Sequence, residues 1–483
     1  MKVLLASSEV YPYSKTGGLA DMVGALAKYL AHAGCQVVLV TPLYSSIRAR
    51  HPELQRLDWK LELPLDSHLV SGRVCVLQPA HRLTVYFIEH SGFFERPGLY
   101  QEHGRDYPDN AERFVFFSKA VVNLARYLPW RAQVVHLHDW QTALVPLLIQ
   151  DQKQRDKWLR PPRTCLTIHN LAYQGQFPAS TFGLTNLPWS YFSMEGVEFH
   201  GGVNCLKAGI GHAQGLTTVS PRYAREITTP ELGFGLDGIL RQQDHLLTGI
   251  LNGVDYTEWN TEHNPNLHNA YHKDDLSGKT AEKLALQKEF GLPVNAQIPL
   301  FGNIGRLVHQ KGIDILLGAL EEMVAADLQF VSLGAGLPEF ESALLDLARR
   351  YPHKVAVRTG YDHGLPHRIE AASDFFLMPS HFEPCGLNQM YSLRYGTVPI
   401  VRATGGLDDS VIDVRENAAL ANGIKFDVYS SSALAHAMRK ALALFQHRDL
   451  LQHYRNNGMN QDFSWERTAR EYMKVYENIL TRD

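Results

Sequence analysis

Cysteine is scarce in this 483-residue sequence, and its placement does not suggest a structural use. The five cysteines are odd in number and widely spaced, and no C-x-x-C pair occurs. Such a pattern argues against a disulfide framework or a zinc site, and it is typical of proteins in a reducing compartment. We therefore predict a cytoplasmic location.

Long hydrophobic runs are also missing. No stretch of about 18 apolar residues is present, so the sequence predicts no membrane-spanning helix. The apolar run at the N-terminus turns polar at Ser7, which is too early for a signal peptide. The formal net charge is only −3, which gives no electrostatic reason to expect nucleic acid or an anionic membrane as a partner. An anionic ligand, if one binds, is expected to be held by local groups.

Several catalytic motifs are absent as well. The sequence has no D-x-D triplet of the kind with which many sugar transferases hold Mg²⁺, no G-x-S-x-G and no Walker A motif. Residues 334–339, GAGLPE, resemble a dinucleotide fingerprint but lack its third glycine. These absences remove the commonest assignments that a short motif could support.

The sequence does contain a repeated series of short apolar runs with helical patterns between several of them. Its length predicts two or three domains. Apolar runs that end in small or polar residues are typical of buried parallel strands in an α/β fold. The series restarts after residues 250–255, so we predict two α/β halves joined near residues 240–260 and a terminal helix over 463–480. The predicted strands lie at residues 2–6, 35–42, 84–89, 133–139, 164–170, 215–220, 298–306, 328–336, 354–360, 374–380 and 398–404.

The core Thr-Gly-Gly-Leu-x-Asp occurs twice, at residues 16–21 and 404–409. Gly-Gly lets a backbone approach a ligand closely, and the free N–H groups at the start of the following helix attract negative charge. Ligands bind at the carboxyl ends of strands in open α/β sheets. Two halves that each carry one such loop could therefore hold the two ends of one polar ligand. A tight strand-to-helix turn without a ligand is the alternative, and the sequence leaves both open.

Charged residues follow two of the predicted strands in the second half. Arg306 and Lys311 lie between a strand and a helix, where two cations suit a diphosphate, although they could also be two exposed surface cations. Glu383 follows a strand and could accept hydrogen bonds from sugar hydroxyls, or it could be an acid favoured by a helix dipole. Cys385 is interpreted as a small buried thiol rather than a nucleophile.

Histidine, aspartate and tryptophan end two strands of the first half. Residues 136–138 form an H-x-H pair, but no third or fourth ligand accompanies it at metal-site spacing, which disfavours a metal. Asp139 and Trp140 fit a sugar site better, as a carboxylate for hydroxyls and an indole for stacking. The next strand ends in His169 and Asn170, where the histidine is either structural or functional.

With these motifs the chain resembles the bacterial glycogen synthases and plant starch synthases, which are retaining glucosyltransferases of the GT-B type. The resemblance covers essentially the full length. It rests on KTGGLADMVGAL, HLHDW, TIHNLAYQG, VSPRYAREI, ILNGVDYTEW, the Arg306 and Lys311 pair, PSHFEPCGLNQMYSLRYGTVPIVRATGGL and DFSW. The fold that it implies is α/β, with two Rossmann-like domains over residues 1–246 and 247–459 facing across a deep cleft. A helix over residues 460–483 would cross back to the N-terminal domain.

The resemblance also implies roles for particular residues. Glu383 would face the donor sugar, Arg306 and Lys311 would neutralise the leaving diphosphate, and His169 would hold the 6-hydroxyl of glucose as the fourth catalytic residue. Lys15 would approach the distal phosphate. The implied donor-binding set is Lys15, Gly18, Asp21, Tyr361 (packing on adenine), Cys385, Gly386, Thr404, Gly405 and Gly406. The implied sugar and acceptor set is Asp139, Trp140, Asn170 and Asn252.

The implied reaction transfers glucose from ADP-glucose to the 4-hydroxyl at the non-reducing end of an α-1,4-glucan such as glycogen, with retention of configuration. No metal or cofactor is implied, in agreement with the missing D-x-D triplet. UDP-glucose as donor, and a low-activity glucan-binding paralogue, remain alternatives. The presence of Lys15, Arg306, Lys311 and Glu383 together argues against the paralogue. A nucleotide-sugar epimerase or a phosphorylase is a further alternative, and the lack of a recognisable pyridoxal-phosphate lysine motif disfavours the phosphorylase.

Four positions and one segment depart from the family pattern. The segment is LGFGLDG (232–238), which varies on a Tyr-containing version. Many bacterial members have Thr where Asn388 stands, and often Arg where His381 stands. Ala403 replaces a second Arg, and Gln141 stands where some members have His. Because these positions are expected near the donor or the acceptor, they bear on specificity and rate rather than on the reaction class. The oligomeric state is not predicted.

Overall fold

The computed structural model describes residues 1–155 and 158–482, which divide into two compact units. The first unit contains residues 1–219, 224–253 and the chain from Trp465 to its end. The second contains residues 220–223 and 254–464. The domain limits expected at residues 246/247 and 459/460 lie a few residues before the unit boundaries at 253/254 and 464/465.

The first unit is built on a large central sheet. The strands of the unit are β1 (Lys2–Ala6), β2 (Gln36–Pro42), β3 (Gln55–Leu65), β4 (His68–Ala80), β5 (Leu83–Glu89), β6 (Gln101–Glu102), β7 (Arg105–Asp106), β8 (Val134–His138), β9 (Arg163–Ile168), β10 (Gln176–Pro178), β11 (Glu198–Phe199), β12 (Gly202–Asn204), β13 (Gly215–Thr218) and β14 (Leu247–Gly249). Of these, β6 and β7 form a separate pair, and β10, β12 and β11 form a separate small sheet. Among the described residues the sheet has nine strands in the order β14-β13-β9-β8-β1-β2-β5-β4-β3. All neighbours are parallel except β5-β4 and β4-β3. The carboxyl ends of β1, β8 and β9 therefore lie side by side.

The helices in this part of the chain are α1 (Gly18–His32), α2 (Ser45–Arg50), α3 (Ser91–Phe94), α4 (Asn110–Tyr127), α5 (Val145–Arg155), α6 (Cys205–His212), α7 (Pro221–Glu226) and α8 (Asp237–Gln242). The first three residues of α7 belong to the second unit. Short 3₁₀ helices occupy Ala179–Thr185, Trp189–Tyr191 and Asp244–Leu246. Across the described parts of both units, no helix is long and apolar enough to cross a bilayer.

The second unit has a smaller, fully parallel sheet. Its strands are β15 (Leu300–Leu307), β16 (Gln329–Gly336), β17 (Val355–Thr359), β18 (Phe375–Met378), β19 (Val398–Arg402) and β20 (Ile424–Phe426), in the order β17-β16-β15-β18-β19-β20. Its helices are α9 (Ser277–Glu289), α10 (Ile313–Met323), α11 (Pro338–Arg350), α12 (Leu365–Ala372), α13 (Asn388–Arg394), α14 (Gly405–Ser410), α15 (Ser431–Gln446) and α16 (Arg448–Met459), with a 3₁₀ turn at His309–Lys311. Crossover helices on both faces make this a Rossmann-like sheet. The carboxyl ends of β15, β18 and β19 lie together.

The last helix, α17 (Trp465–Thr481), belongs to the first unit. Its buried face includes Trp465, which stacks on Tyr29 of α1 with ring centroids 6.4 Å apart, and Tyr476, whose hydroxyl lies 2.8 Å from Nδ1 of His136. Glycine at residues 215 and 253 permits this packing, because an added Cβ there would overlap Ile479 and Trp465. The predicted terminal helix is confirmed.

The predicted strands are all present, and their ends differ from the predicted ones by at most two residues. The antiparallel pair β3 and β4 was not predicted. Its signal is an alternation in which Leu61, Leu63 and Leu65 are buried and the residues between them are exposed. That pattern is typical of a sheet with one solvated face, whereas the prediction followed the continuous apolar runs of buried parallel strands.

Candidate functional site

The loop after β1 is organised around the buried carboxylate of Glu9. This carboxylate accepts hydrogen bonds from the backbone N–H of Thr16 at 2.5 Å, from the Thr16 hydroxyl at 2.8 Å and from the hydroxyl of Tyr100 at 2.9 Å. Burial raises the pKa of Glu9, and these hydrogen bonds oppose that shift. Glu9 therefore fixes the shape of the loop that leads into α1. No sequence motif pointed to this residue.

Lys15 and Asp21 form an ion pair at the start of α1. The Lys15 ammonium lies 2.8 Å from the Asp21 carboxylate, and both side chains are partly exposed. It also lies 5.6 Å from the ring centroid of Tyr11. Burial raises the pKa of Asp21, and the charge of Lys15 opposes this. The two predicted donor-binding side chains are thus brought together, and their role toward a ligand stays a prediction.

The two Thr-Gly-Gly loops both begin helices, but they are packed differently. Around Gly17 and Gly18 nothing lies within 4 Å of where a Cβ would be. In the second unit a Cβ on Gly405 would overlap the carbonyl oxygen of Glu383, and one on Gly406 would overlap that of Cys385. Glycine is therefore required at residues 405 and 406 by the protein's own backbone, whereas the first loop leaves open space that a ligand can enter.

Asp139 joins the ends of β8 and β9. Its backbone is left-handed, with φ of 57°, and its carboxylate accepts the backbone N–H of His169 at 2.7 Å and also that of Asn170. Burial raises the pKa of Asp139 to about 7, although these hydrogen bonds oppose the shift. The aspartate therefore positions the chain at His169.

Three imidazoles line the same strand ends. His136 and His138 face the same side of β8, with ring centroids 4.2 Å apart, and Nδ1 of His138 lies 3.1 Å from Nε2 of His169. The nitrogens of His136 are bonded to Tyr476 and to Thr167. Burial lowers the pKa of His169 and that of His136 to about 3, so both rings are neutral near pH 7. The H-x-H pair is thus part of a hydrogen-bonded column.

The remaining predicted sugar residues lie around these strand ends or in the segment after β14. Trp140 packs edge-on against Phe114, with ring centroids 5.0 Å apart, and an added Cβ on Gly175 would overlap its indole. Asn170 accepts the N–H of Ala172 at 3.1 Å. Oδ1 of Asn252 is buried and has no hydrogen-bond partner among the described residues. A buried amide oxygen without a partner calls for an explanation, and a ligand hydroxyl bound there would supply one.

Glu383 and Lys311 form the most buried ion pair among the predicted site residues. Lys311 Nζ lies 2.5 Å from Oε2 of Glu383, and the side chains are 25% and 7% exposed. The hydroxyl of Ser380 also donates to Oε2, at 3.0 Å. Oε1 makes no hydrogen bond with a described residue. Gly312 permits the arrangement, since it has φ of 70° and a Cβ there would overlap the carbonyl of Pro379.

Arg306, the penultimate residue of β15, is an exposed cation that makes no ion pair within the described part of the chain. β15 and β18 pair only near Phe301 and Gly302. The backbone between that point and Arg306 is held instead by two side-chain amides. Beyond that point Asn303 donates to the carbonyl of Leu377 at 2.9 Å, and Asn388 donates to the carbonyl of Ile304 at 2.8 Å. Asn388 therefore ties the strand that carries Arg306 to the start of α13.

The other predicted donor residues of the second unit differ in their exposure. Cys385 is 6% exposed, which confirms the prediction of a buried thiol, and Gly386 has φ of 72°. Thr404 is buried at the start of α14. Tyr361 is 77% exposed in the loop after β17, where its ring meets His363 edge-on.

Three further departures from the family pattern have defined surroundings. His381 is exposed, and its ring lies 4.7 Å from that of Tyr429. Ala403 donates its N–H to the carbonyl of Phe426. Gln141 is buried, and its Oε1 has no partner among the residues that the structure describes.

Comparisons with known proteins agree with this architecture. The family model of the starch synthase catalytic domain matches residues 2–242, and that of glycosyl transferases group 1 matches residues 287–461. A glycogen synthase of Anaeromyxobacter sp. (strain Fw109-5) is 48% identical over 481 residues, 99% of both chains. Glycogen synthase 1 of Geobacter sulfurreducens is 44% identical over 487 residues, 100% of this chain and 97% of the relative.

A solved structure is similar over the same length. The catalytic domain of starch synthase IV from Arabidopsis thaliana, bound to ADP and acarbose, has a TM-score of 0.90 and 34% identity over 100% of this chain and 99% of that one. These matches confirm the resemblance, the GT-B fold class and the assignment as a glucosyltransferase. The chain belongs to the family of bacterial glycogen synthases and plant starch synthases.

Proposed function

We propose that this protein transfers glucose from ADP-glucose to the 4-hydroxyl at the non-reducing end of an α-1,4-glucan, with retention of configuration. The observation that carries the proposal is the pairing of Lys311 with the nearly buried Glu383 at the strand ends of the second unit. Glucosyl transfer creates positive charge on the sugar and negative charge on the leaving diphosphate. A carboxylate and an ammonium fixed together supply one group of each sign.

The donor is assigned from charge and from the related structure. Arg306 is an exposed cation without an ion pair among the described residues, which suits a diphosphate, and the starch synthase IV structure is bound to ADP. The exposed ring of Tyr361 is available to pack on a base. Since stacking on a base is not specific for adenine, UDP-glucose is the second candidate donor.

The acceptor is assigned to the first unit. The unpartnered amide oxygen of Asn252 and the Trp140 ring suit a sugar chain, which presents hydroxyls and apolar ring faces. The relatives' name, glycogen synthase, and the acarbose in the related structure support an α-glucan.

We assign the transfer to a front-face route in which the departing phosphate oxygen takes the proton of the acceptor hydroxyl. Arg306 and Lys311 would stabilise the leaving diphosphate, and no metal is needed for that charge. Oε1 of Glu383, which has no partner among the described residues, would accept a hydrogen bond from the donor sugar. A covalent glucosyl-Glu383 intermediate is the alternative. The five cysteines, which are buried and widely spaced in the sequence, support the cytoplasm as the proposed location.

The test is glucose incorporation into glycogen and maltooligosaccharides, with ADP-glucose and UDP-glucose compared side by side, with and without EDTA. Strong incorporation from ADP-glucose that resists EDTA is expected. A preference for UDP-glucose would overturn the donor, and loss of activity in EDTA would overturn the metal-free assignment. Glucan binding without transfer from either donor would favour the non-catalytic paralogue.

A further inference from the structure

The ends of β8 and β9 bring two neutral imidazoles into direct hydrogen-bond contact. Nδ1 of His138 and Nε2 of His169 are 3.1 Å apart, so one of the two nitrogens carries the shared proton and the other accepts it. Burial lowers the pKa of both rings, which keeps them neutral, with one proton each. The position of the shared proton therefore fixes the position of the proton on each ring.

The surroundings of His138 distinguish the two arrangements. Nε2 of His138 is buried and has no hydrogen-bond partner among the described residues. If His169 donated from Nε2, His138 would have to carry its own proton on this nitrogen, as a buried N–H without an acceptor. If His138 donates from Nδ1, only an unused lone pair is buried there. Buried N–H groups without partners are rarer in proteins than unused acceptors.

The neighbouring ring cannot supply the missing acceptor. His136 packs on His138 with ring centroids 4.2 Å apart, but its Nδ1 lies 2.8 Å from the hydroxyl of Tyr476 and its Nε2 lies 2.6 Å from that of Thr167. Both of its nitrogens are thus occupied. The arrangement in which His138 donates from Nδ1 is the one that leaves no buried donor unsatisfied.

The consequence appears on the other side of His169. His169 is partly accessible to solvent, and its side chain hydrogen-bonds among the described residues only through Nε2, to His138. Because Nε2 accepts from His138, the single proton of the neutral ring has to lie on Nδ1. We propose that His138 is a positioning residue that fixes His169 as the tautomer protonated on Nδ1, so that His169 meets its ligand as a hydrogen-bond donor.

The identity of the ligand atom that accepts this hydrogen bond depends on the proposed function, and this part of the inference rests on it. A sugar hydroxyl oxygen accepts a hydrogen bond from an imidazole N–H, and the family resemblance implies that the 6-hydroxyl of the donor glucose meets His169. A His169 protonated only on Nε2 would instead present a bare lone pair to the same site.

The tautomer can be measured without any activity. In protein labelled with ¹⁵N in histidine, long-range proton–nitrogen spectra separate the two neutral tautomers, and the spectrum of His169→Gln identifies the signals of residue 169. We expect Nδ1 of His169 to be protonated in the wild-type protein. Protonation on Nε2 would overturn the proposal, whatever the activity.

Two variants test the cause. His138→Leu removes the donor, and we expect His169 to shift toward the Nε2-protonated tautomer. Tyr476→Phe is the matched control, since it removes a hydroxyl from the same column through His136 but leaves the contact between His138 and His169 intact. Its His169 tautomer should not change. The proposal is wrong if His169 has the same tautomer in His138→Leu as in the wild type. If His138→Leu fails to fold, the wild-type spectrum decides, and a His169 ring protonated on Nε2 would reject the proposal.

A kinetic comparison separates this proposal from the proposed function. The ratio of kcat/KM for ADP-glucose to that for ADP-6-deoxyglucose should fall about tenfold in His138→Leu, the worth of one hydrogen bond, and should stay unchanged in Tyr476→Phe. A tautomer shift with an unchanged ratio would retain the role of His138 and reject the contact with the 6-hydroxyl. No transfer by the wild-type protein would reject the proposed function, while the spectra would still decide the tautomer.

Discussion

At the scale of single residues, Glu383 combines burial with an unused oxygen. One oxygen accepts hydrogen bonds from Lys311 and Ser380, and the other has no partner in the described part of the chain. The side chain is therefore held in one orientation with one acceptor available. Such a group is suited to contact a charged or hydroxylated ligand rather than to stabilise the fold.

Glu383→Gln should separate catalysis from folding. The amide keeps the shape and can still accept from Ser380, but it removes the negative charge, so we expect kcat to fall about 10³-fold with a small change in Tm. Glu416→Gln is the matched control, because that carboxylate pairs with Lys425 in the same unit and is half exposed. Steady-state rates with ADP-glucose measure the difference. Near-normal turnover of Glu383→Gln would reject a catalytic role.

Asp139 should make stability depend on pH. Its pKa is raised from 3.8 to about 7 by burial, so the folded protein binds more protons than the unfolded chain between these values. The stability that Asp139 contributes is therefore present at low pH and lost as pH rises toward 7. Asp139→Asn cannot titrate. The free energy of unfolding of the wild type relative to this variant should fall by about 4 kcal/mol between about pH 4 and 7.

Denaturant unfolding of both proteins across this range checks that expectation. Above pH 7 the difference between the two proteins should stay flat, which is the internal control. A difference that grew with rising pH would mean that the Asp139 carboxylate is stabilised in its charged form, against the assigned effect of burial.

At the scale of elements, the same Thr-Gly-Gly sequence performs two tasks. At the start of α14 the two glycines allow two backbone segments to come into contact. At the start of α1 the corresponding glycines border open space. The repeated motif therefore marks two helix starts at strand ends, and only the packing around each one shows what the missing side chains permit.

Gly18→Ala and Gly406→Ala form a matched pair at equivalent positions. Gly18 begins a long helix in open space, so alanine should leave stability unchanged or raise it by up to about 1 kcal/mol. It should raise the KM for the donor if a ligand enters that space. Gly406→Ala should lower stability by about 1–3 kcal/mol through overlap with the carbonyl of Cys385. Thermal unfolding and donor kinetics of both variants measure this, and equal stability losses would contradict it.

Asn388 should act through the element that it holds. Asn388→Leu leaves the Ile304 carbonyl without its amide donor and loosens the strand end that carries Arg306, so we expect kcat to fall about tenfold. Asn457→Leu is the control, since that amide donates to the carbonyls of Ala419 and Ala421. It should lose stability with kcat unchanged. Equal kcat losses in both variants would mean that the Asn388 effect is general destabilisation.

The sequence predicted the elements better than the contacts between them. Continuous apolar runs located the parallel strands of both units, because such strands are buried on both faces. Residues that follow those strands, such as Asp139 and Glu383, were found for the same reason. The role of Glu9 was missed, because it depends on Tyr100, which lies 91 residues away in the chain. The bond between His138 and His169 depends likewise on the register of two strands and not on a motif.

At the scale of the whole molecule, the chain ends in the unit where it began. Helix α17 packs on the first unit through Trp465, Tyr472 and Tyr476, which are all nearly inaccessible to solvent. The hydroxyl of Tyr476 forms a hydrogen bond with His136, which lies on β8, the strand that Asp139 follows. The last residues of the chain thus support the strand ends of the first unit.

Trp465→Ala should destabilise the first unit by about 3–5 kcal/mol, because it removes an indole that is 3% exposed. Trp189→Ala is the control, since that indole is 65% exposed and should cost about 1 kcal/mol or less. Differential scanning calorimetry of the full-length variants compares the two. Similar small losses would show that α17 contributes little to the stability of the first unit.

The return of the chain to the first unit has a consequence for synthesis. Residues 254–464 have to be translated between the body of this unit and α17. At about 5–20 residues per second, this takes about 10–40 s. During that interval the nascent first unit lacks the tyrosine that bonds to His136 and the indole that covers Gly253. The first unit is therefore completed after the second, and a polypeptide released before α17 is made lacks part of the support for β8, the strand that Asp139 follows.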